Sequence, residues 1–147
     1  MGAHPYYYFV EYQPDVGAAL QALRQREFQA GRYNPVVAFP DFPVGARSPA
    51  PGAAHASIEQ ARQAADADGT RSILDLHFVA DEPDFCAVSP ISDFNLKKLF
   101  GTTQPTREMV ERNMSFFEDV DRGQGVYIIV YKQNKPSEIF FGGYSFD

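Results

Sequence analysis

Asp75 and His77 are the one carboxylate–imidazole pair at i, i+2 in a stretch that reads as a strand. Alternate residues of a strand share a face, so the pair can set a carboxylate against an imidazole nitrogen and orient a general base. A nucleophile would have to come from elsewhere, because the chain has no G-x-S-x-G elbow. Cys86, the single cysteine, is the available thiol if its segment folds back on His77 as a hairpin. Its neighbours Phe85, Ala87 and Val88 are apolar and Asp84 is acidic, a setting that raises a thiol pKa and suits a small core residue better than a nucleophile. For Asp75 and His77 the plain alternative is the wetted face of a half-buried strand.

Three further residues suit an anionic ligand. Arg32 and Tyr33 follow one expected helix, and Arg71 follows another, so two guanidinium groups would converge if both helices pack on one sheet face. The competing role for the arginines is complementing the C-terminal ends of those helices. Carboxylates gather in the second half: residues 74–147 hold 12 acids against seven bases, and residues 1–73 hold seven against six. Glu111, Glu118, Asp119 and Asp121 would share an acidic helix face able to meet a cationic partner. Asp81, Glu82 and Asp84 lack the residue order of an EF-hand loop, and Gly123-Gln124-Gly125 is too short for a phosphate loop. The sequence therefore implies no metal and no cofactor.

The elements that position these residues follow from periodicity and caps. Tyr6 to Tyr12 reads as a strand, apolar on both faces. Asp15 caps a helix over 16–30, closed by Gly31. Val36 to Phe39 is a short extended piece, and a Pro/Gly/Ala-rich loop runs over about 40–54. Loops of that length in compact domains are often functional, so this one is a candidate lid over a polar site, or else a tolerated insertion. Ser57 and Gln60 give the capping-box pattern of a second helix, closed by Gly69. Leu74, Leu76 and Phe78 alternate with Asp75 and His77, so 72–79 is expected to be a strand, pairing as a hairpin with 85–88. Ser92 caps a helix over 93–100 and Pro105 opens a longer one to about Val120. Val126 to Lys132 and Ile139 to Phe146 are strands joined by a turn, and Gly142-Gly143 interrupts the last one as a bulge or a close approach.

The predicted fold is therefore α+β. It is a single domain over 1–147, with a mainly antiparallel sheet of four to six strands and three to four helices mostly on one face. Composition narrows the function class. The 147 residues carry a net charge of −6, which opposes binding to a nucleic-acid backbone. One cysteine permits no intrachain disulfide, no apolar run is long enough to span a bilayer, and residues 1–12 lack the basic start of a signal peptide. A bacterial cytoplasmic protein is the expectation. Acidic surface, surplus aromatics (8 Tyr and 13 Phe) and the lack of a catalytic motif favour a non-catalytic module that binds a basic protein. Immunity proteins and inhibitors share that profile of composition. The alternative is a small enzyme or ligand-binding domain near the 40–54 loop, using Arg32, Tyr33, Arg71, Asp75 and His77. Homodimerisation through the C-terminal hairpin is compatible with both.

Overall fold

The structure, a computed structural model, describes residues 4–37 and 48–146. Residues 40–47 of the expected loop lie outside the described residues, as do Ala38 and Phe39 of the expected extended piece. The described chain is α+β, built on one five-stranded sheet in the order β1-β5-β4-β3-β2. The strands are β1 (Pro5–Glu11), β2 (Phe78–Val79), β3 (Ala87–Pro90), β4 (Gly125–Lys132) and β5 (Lys135–Tyr144). The helices are α1 (Val16–Ala30), α2 (Ile58–Ala65), α3 (Asp93–Phe100) and α4 (Arg107–Arg112).

The long pairings are antiparallel: β1 with β5, and β5 with β4. A two-residue turn joins β4 and β5, with Gln133 and Asn134 both at positive φ, as the right-handed twist of a tight hairpin requires. Within the sheet β5 has a strand along both sides, and β4 has β3 beside it over Gly125, Val126 and Tyr127. The free edges of the sheet are β1 and the two-residue β2.

Local signals place the helices. Asp15 accepts from the Ala18 amide at 3.0 Å and Gly31 closes α1 at φ 74°. Ser57 accepts from Gln60 N, while the Gln60 side chain reaches back to Ala56 N rather than to Ser57. Ser92 starts α3 and Gly101, at φ 75°, ends it. The helices do not collect on one face. Ala19, Leu20, Leu23 and Phe28 of α1 and Ala61 of α2 pack with Tyr6, Tyr8, Ile139 and Phe141. Leu96 of α3, Val110 of α4, Phe116 and Phe117 pack on the opposite face with Ile128, Val130 and Phe140. β1, β4 and β5 are apolar on both sides because both of their faces are covered.

Three expected elements differ. Residues 72–79 are not one strand: Ser72 caps a 3-10 turn, Ile73–Asp75, and only Phe78–Val79 enter the sheet. Side-chain acceptors at Ser72 and Tyr8 take the amides of Leu74 and Ile73 that a β-ladder would have used. β2 and β3 are parallel rather than a hairpin, and the connection over 80–86 ends with Cys86 at φ 61°. The expected helix from Pro105 to Val120 breaks in two. Thr106 caps α4, Asn113 ends it, and a 3-10 turn follows over Ser115–Asp119. Asn113 enforces the break by donating to Leu99 O and accepting from Ser115 N.

Gly142 and Gly143 sit in regular pairing, and the sheet's irregularity lies at Val130/Tyr131 instead. The glycines are there for close approach. A Cβ on Gly142 would lie 2.9 Å from the rings of Phe117 and Phe140, and one on Gly143 would lie 2.9 Å from the Tyr6 hydroxyl. Phe140 is fully buried and is ringed by Tyr7, Phe9, Phe116 and Phe117. These rings cannot retreat without opening a cavity. Gly142→Ala is therefore expected to destabilise the fold by about 1–3 kcal/mol, read from the midpoint of urea unfolding at unchanged slope.

Candidate functional site

The anion-site candidates are structural in this fold. Glu27 is 1% exposed, and its carboxylate takes Arg32 Nε at 3.0 Å and Arg26 Nε at 3.0 Å. Arg32 thus serves a buried charge rather than a ligand. Tyr33 is fully buried, stacked on Phe28, with its hydroxyl 2.8 Å from His55 Nδ1. Arg71 adopts a left-handed backbone at φ 53°, and its amide donates to the Asp75 carboxylate. Asn34 N donates to Thr70 O at 2.8 Å and Asn34 Nδ2 to Gly69 O at 3.0 Å, so the segment carrying Arg32 and Tyr33 runs beside the one carrying Arg71.

Asp75 and His77 do not share a strand face. Asp75 is 1% exposed in the 3-10 turn and holds the amide and the hydroxyl of Thr70, at 3.0 and 2.9 Å. Burial raises its pKa against the lowering effect of these donors and of Arg62. The His77 imidazole is partly buried, and its pKa is lowered to about 4 by burial first and then by the charges of Arg62 and Arg24. The Cys86 thiol is raised by burial, so the fold gives it no activation. Arg24 lies against the same turn and donates to Leu74 O at 2.9 Å. Arg24 Nε, Arg62 Nε, His77 Nε2 and the Tyr6 hydroxyl are buried with no hydrogen-bond partner among the described residues. Arg62, which the sequence reading did not select, reaches the surface in a shallow depression with Glu59, Asp66 and Phe146.

A better-formed concavity lies on the other side of the sheet. It is a cleft of about 580 Å³ between the turn after β2, the end of β3, the start of α3 and the 115–120 segment. Its floor is apolar, from Ile91, Leu99, Phe116, Val120 and Val126, with Ser89 on β3 2% exposed beside Val126 on β4. Asp81, Glu82, Glu118 and Asp119 line it against one cation, Lys98. None of these four carboxylates forms an ion pair among the described residues. Asp81 adds to burial in raising the Tyr127 phenol pKa. Asp75, His77, Arg32, Tyr33 and Arg71 line neither this cleft nor the depression over Arg62.

The expected acidic helix face is thus divided. Glu118 and Asp119 line the cleft. Glu111 instead sits on α4, paired with Arg107 at 3.3 Å, and Asp121 is exposed outside the cleft lining. Asp81 and Glu82 belong to the site, although their sequence suggested only an acidic turn. Among the described residues, no three His, Cys, Asp or Glu side chains group to hold a metal, and no helix is long and apolar enough to cross a membrane. The chain matches no known protein family, no curated protein and no solved structure.

Two outcomes follow from the Asp75 neighbourhood. Asp75→Ala orphans the buried Thr70 amide and is expected to cost about 1–3 kcal/mol in chemical unfolding. His77 stays neutral in the fold down to about pH 4, whereas in the unfolded chain it protonates near 6.5. The stability it contributes is present above pH 6.5 and is lost as pH falls towards 4. After allowance for solvent screening at this partly exposed ring, the loss is about 1–2 kcal/mol. Urea unfolding near pH 7 and near pH 4 should show wild type losing that much more than His77→Gln. The comparison cancels Asp75, whose raised pKa favours the fold at low pH.

Proposed function

We propose that the chain is a non-catalytic protein-binding module that takes a cationic segment of a partner protein into its acid-rimmed cleft. The observation that carries this is the contrast among its carboxylates. Glu27, Glu108, Glu111 and Glu138 are each met by an arginine. Asp81, Glu82, Glu118 and Asp119 stand together around an apolar floor, with Lys98 in the same lining and no ion pair among the described residues. That combination suits lysine and arginine, whose hydrocarbon stems lie on apolar surface while their heads seek carboxylates. The net charge of −6 adds long-range steering towards a basic partner. Immunity proteins and inhibitors that neutralise a basic protein work by such docking, and this chain is placed with them by physical likeness alone.

The test uses the full chain, a lysine- and arginine-rich peptide and amide chemical shifts. Binding is expected to perturb Ile91, Leu99, Phe116 and Val126 and to weaken steeply with salt. Glu118→Lys together with Asp119→Lys should weaken the affinity at least about tenfold, and Glu111→Lys should leave it unchanged. No saturable binding at low salt, or equal loss in the Glu111 variant, counts against the cleft.

A second reading, a small-ligand domain, is favoured by one observation: polar atoms of Arg24, Arg62 and Tyr6 near Asp75, and of His77 near the two arginines, are buried without a hydrogen-bond partner among the described residues. Its signature would be a melting point raised by a carboxylate or phosphate compound in wild type but not in Arg62→Gln.

A further inference from the structure

β1 is an outer strand of 7 residues, and among the described residues nothing pairs with its outer edge. Its register defines that edge. Tyr12 N donates to Ser137 O, and Ser145 N donates to His4 O, so the even-numbered residues of this segment face β5. The amides and carbonyls of Tyr7, Phe9 and Glu11, with the Pro5 carbonyl, therefore point away from the sheet, and no described residue meets them. α1 leans the other way, packing towards β2 and the Ile73–Asp75 turn. Sheet edges are usually guarded by shortness, a bulge, lysine or an interior proline. β2, at two residues, is guarded by its length. β1 has none of these between Tyr6 and Val10, and its one charge is Glu11 at the end.

We infer that this edge pairs with the same edge of a second copy, antiparallel about a two-fold axis through Tyr8, joining two five-stranded sheets into one. The register argues for the occupant. An axis at Tyr8 is the one that overlaps Pro5–Glu11 with itself over its whole length. Outward-facing residues then meet outward-facing residues: Tyr7 exchanges hydrogen bonds with the partner's Phe9, and Glu11 donates to the carbonyl of the partner's Pro5. Tyr7 and Phe9 point to the same sheet face, so the cross-strand pairs are aromatic on aromatic, which is favourable. Charge also permits it. The two Glu11 side chains lie at opposite ends of the joint. In each copy Glu11 lines a groove of about 180 Å³ between β1 and α1 together with Arg26, so no second carboxylate of β1 faces the joint. The joint leaves the acid-rimmed cleft untouched, and it stands or falls separately from the binding role proposed above.

Light scattering and sedimentation on the full chain at physiological salt test it. The expected mass is twice 16.4 kDa at high concentration, with reversible dissociation on dilution. Glu11→Pro deletes an outward-facing donor on each copy while sparing the β1–β5 ladder, and should raise the dimer dissociation constant about tenfold or more. Its circular dichroism and melting at monomeric concentration should match wild type. A second arm does not depend on that variant. Facing residues of an antiparallel pair lie at disulfide range, so Pro5→Cys with Glu11→Cys should form an intermolecular disulfide that neither single variant forms. A chain that stays monomeric at every concentration overturns the inference. So does a dimer that forms equally well with Glu11→Pro and gives no disulfide in the double-cysteine chain.

Discussion

The Asp75 carboxylate draws in the amide and the hydroxyl of Thr70, and the Ser72 hydroxyl caps Leu74 N beside it. Tyr8 accepts from Ile73 N, and Arg24 donates to Leu74 O, so the turn is tied to β1 and α1 as well. A charge-bearing group that is 1% exposed is tolerated only where its lone pairs are filled, and this one is filled by the chain folding around it. With residues 70–76 committed to the turn, only Phe78–Val79 remain for the sheet. β2 lies parallel to β3, and the end of β3 opens onto the cleft.

The two sheet faces carry different duties. The face under α1 and α2 holds the buried polar groups: Glu27 with its arginines, Tyr33 with His55, and the Asp75 turn. The face under α3 and α4 is aromatic and dry at its centre, and becomes a concavity only where the 115–120 segment diverges from β3. The cleft therefore lies on the half of the molecule with the fewest buried charges, and Asp75 lies where it holds the chain together.

Sequence reading succeeded where the deciding interaction is local. Asp15, Ser57, Ser92, Gly31 and Gly101 mark helix ends because each contacts residues within a turn of itself. The β4–β5 hairpin was legible because two residues at positive φ join two apolar runs. It failed at 72–79, where Leu74, Leu76 and Phe78 alternate as in a strand. The competing bonds come from Thr70 and, across the fold, from Tyr8 and Arg24, and alternation carries no trace of them. It failed again after Arg112, where apolar spacing continues but Asn113 turns the chain by bonding to Leu99. That break explains why half of the acidic residues chosen from the sequence line the cleft and half do not. Asp81 and Glu82 became site residues through parallel pairing, a long-range property that no local pattern encodes.

Phe140 and Phe141 are neighbours on β5, and each is the root of a different hydrophobic layer. The two layers share one backbone segment, in the middle of the sheet, bonded on both sides. Loosening β5 therefore disturbs both layers at once, and its central amides are expected to be among the slowest in the molecule to exchange with solvent.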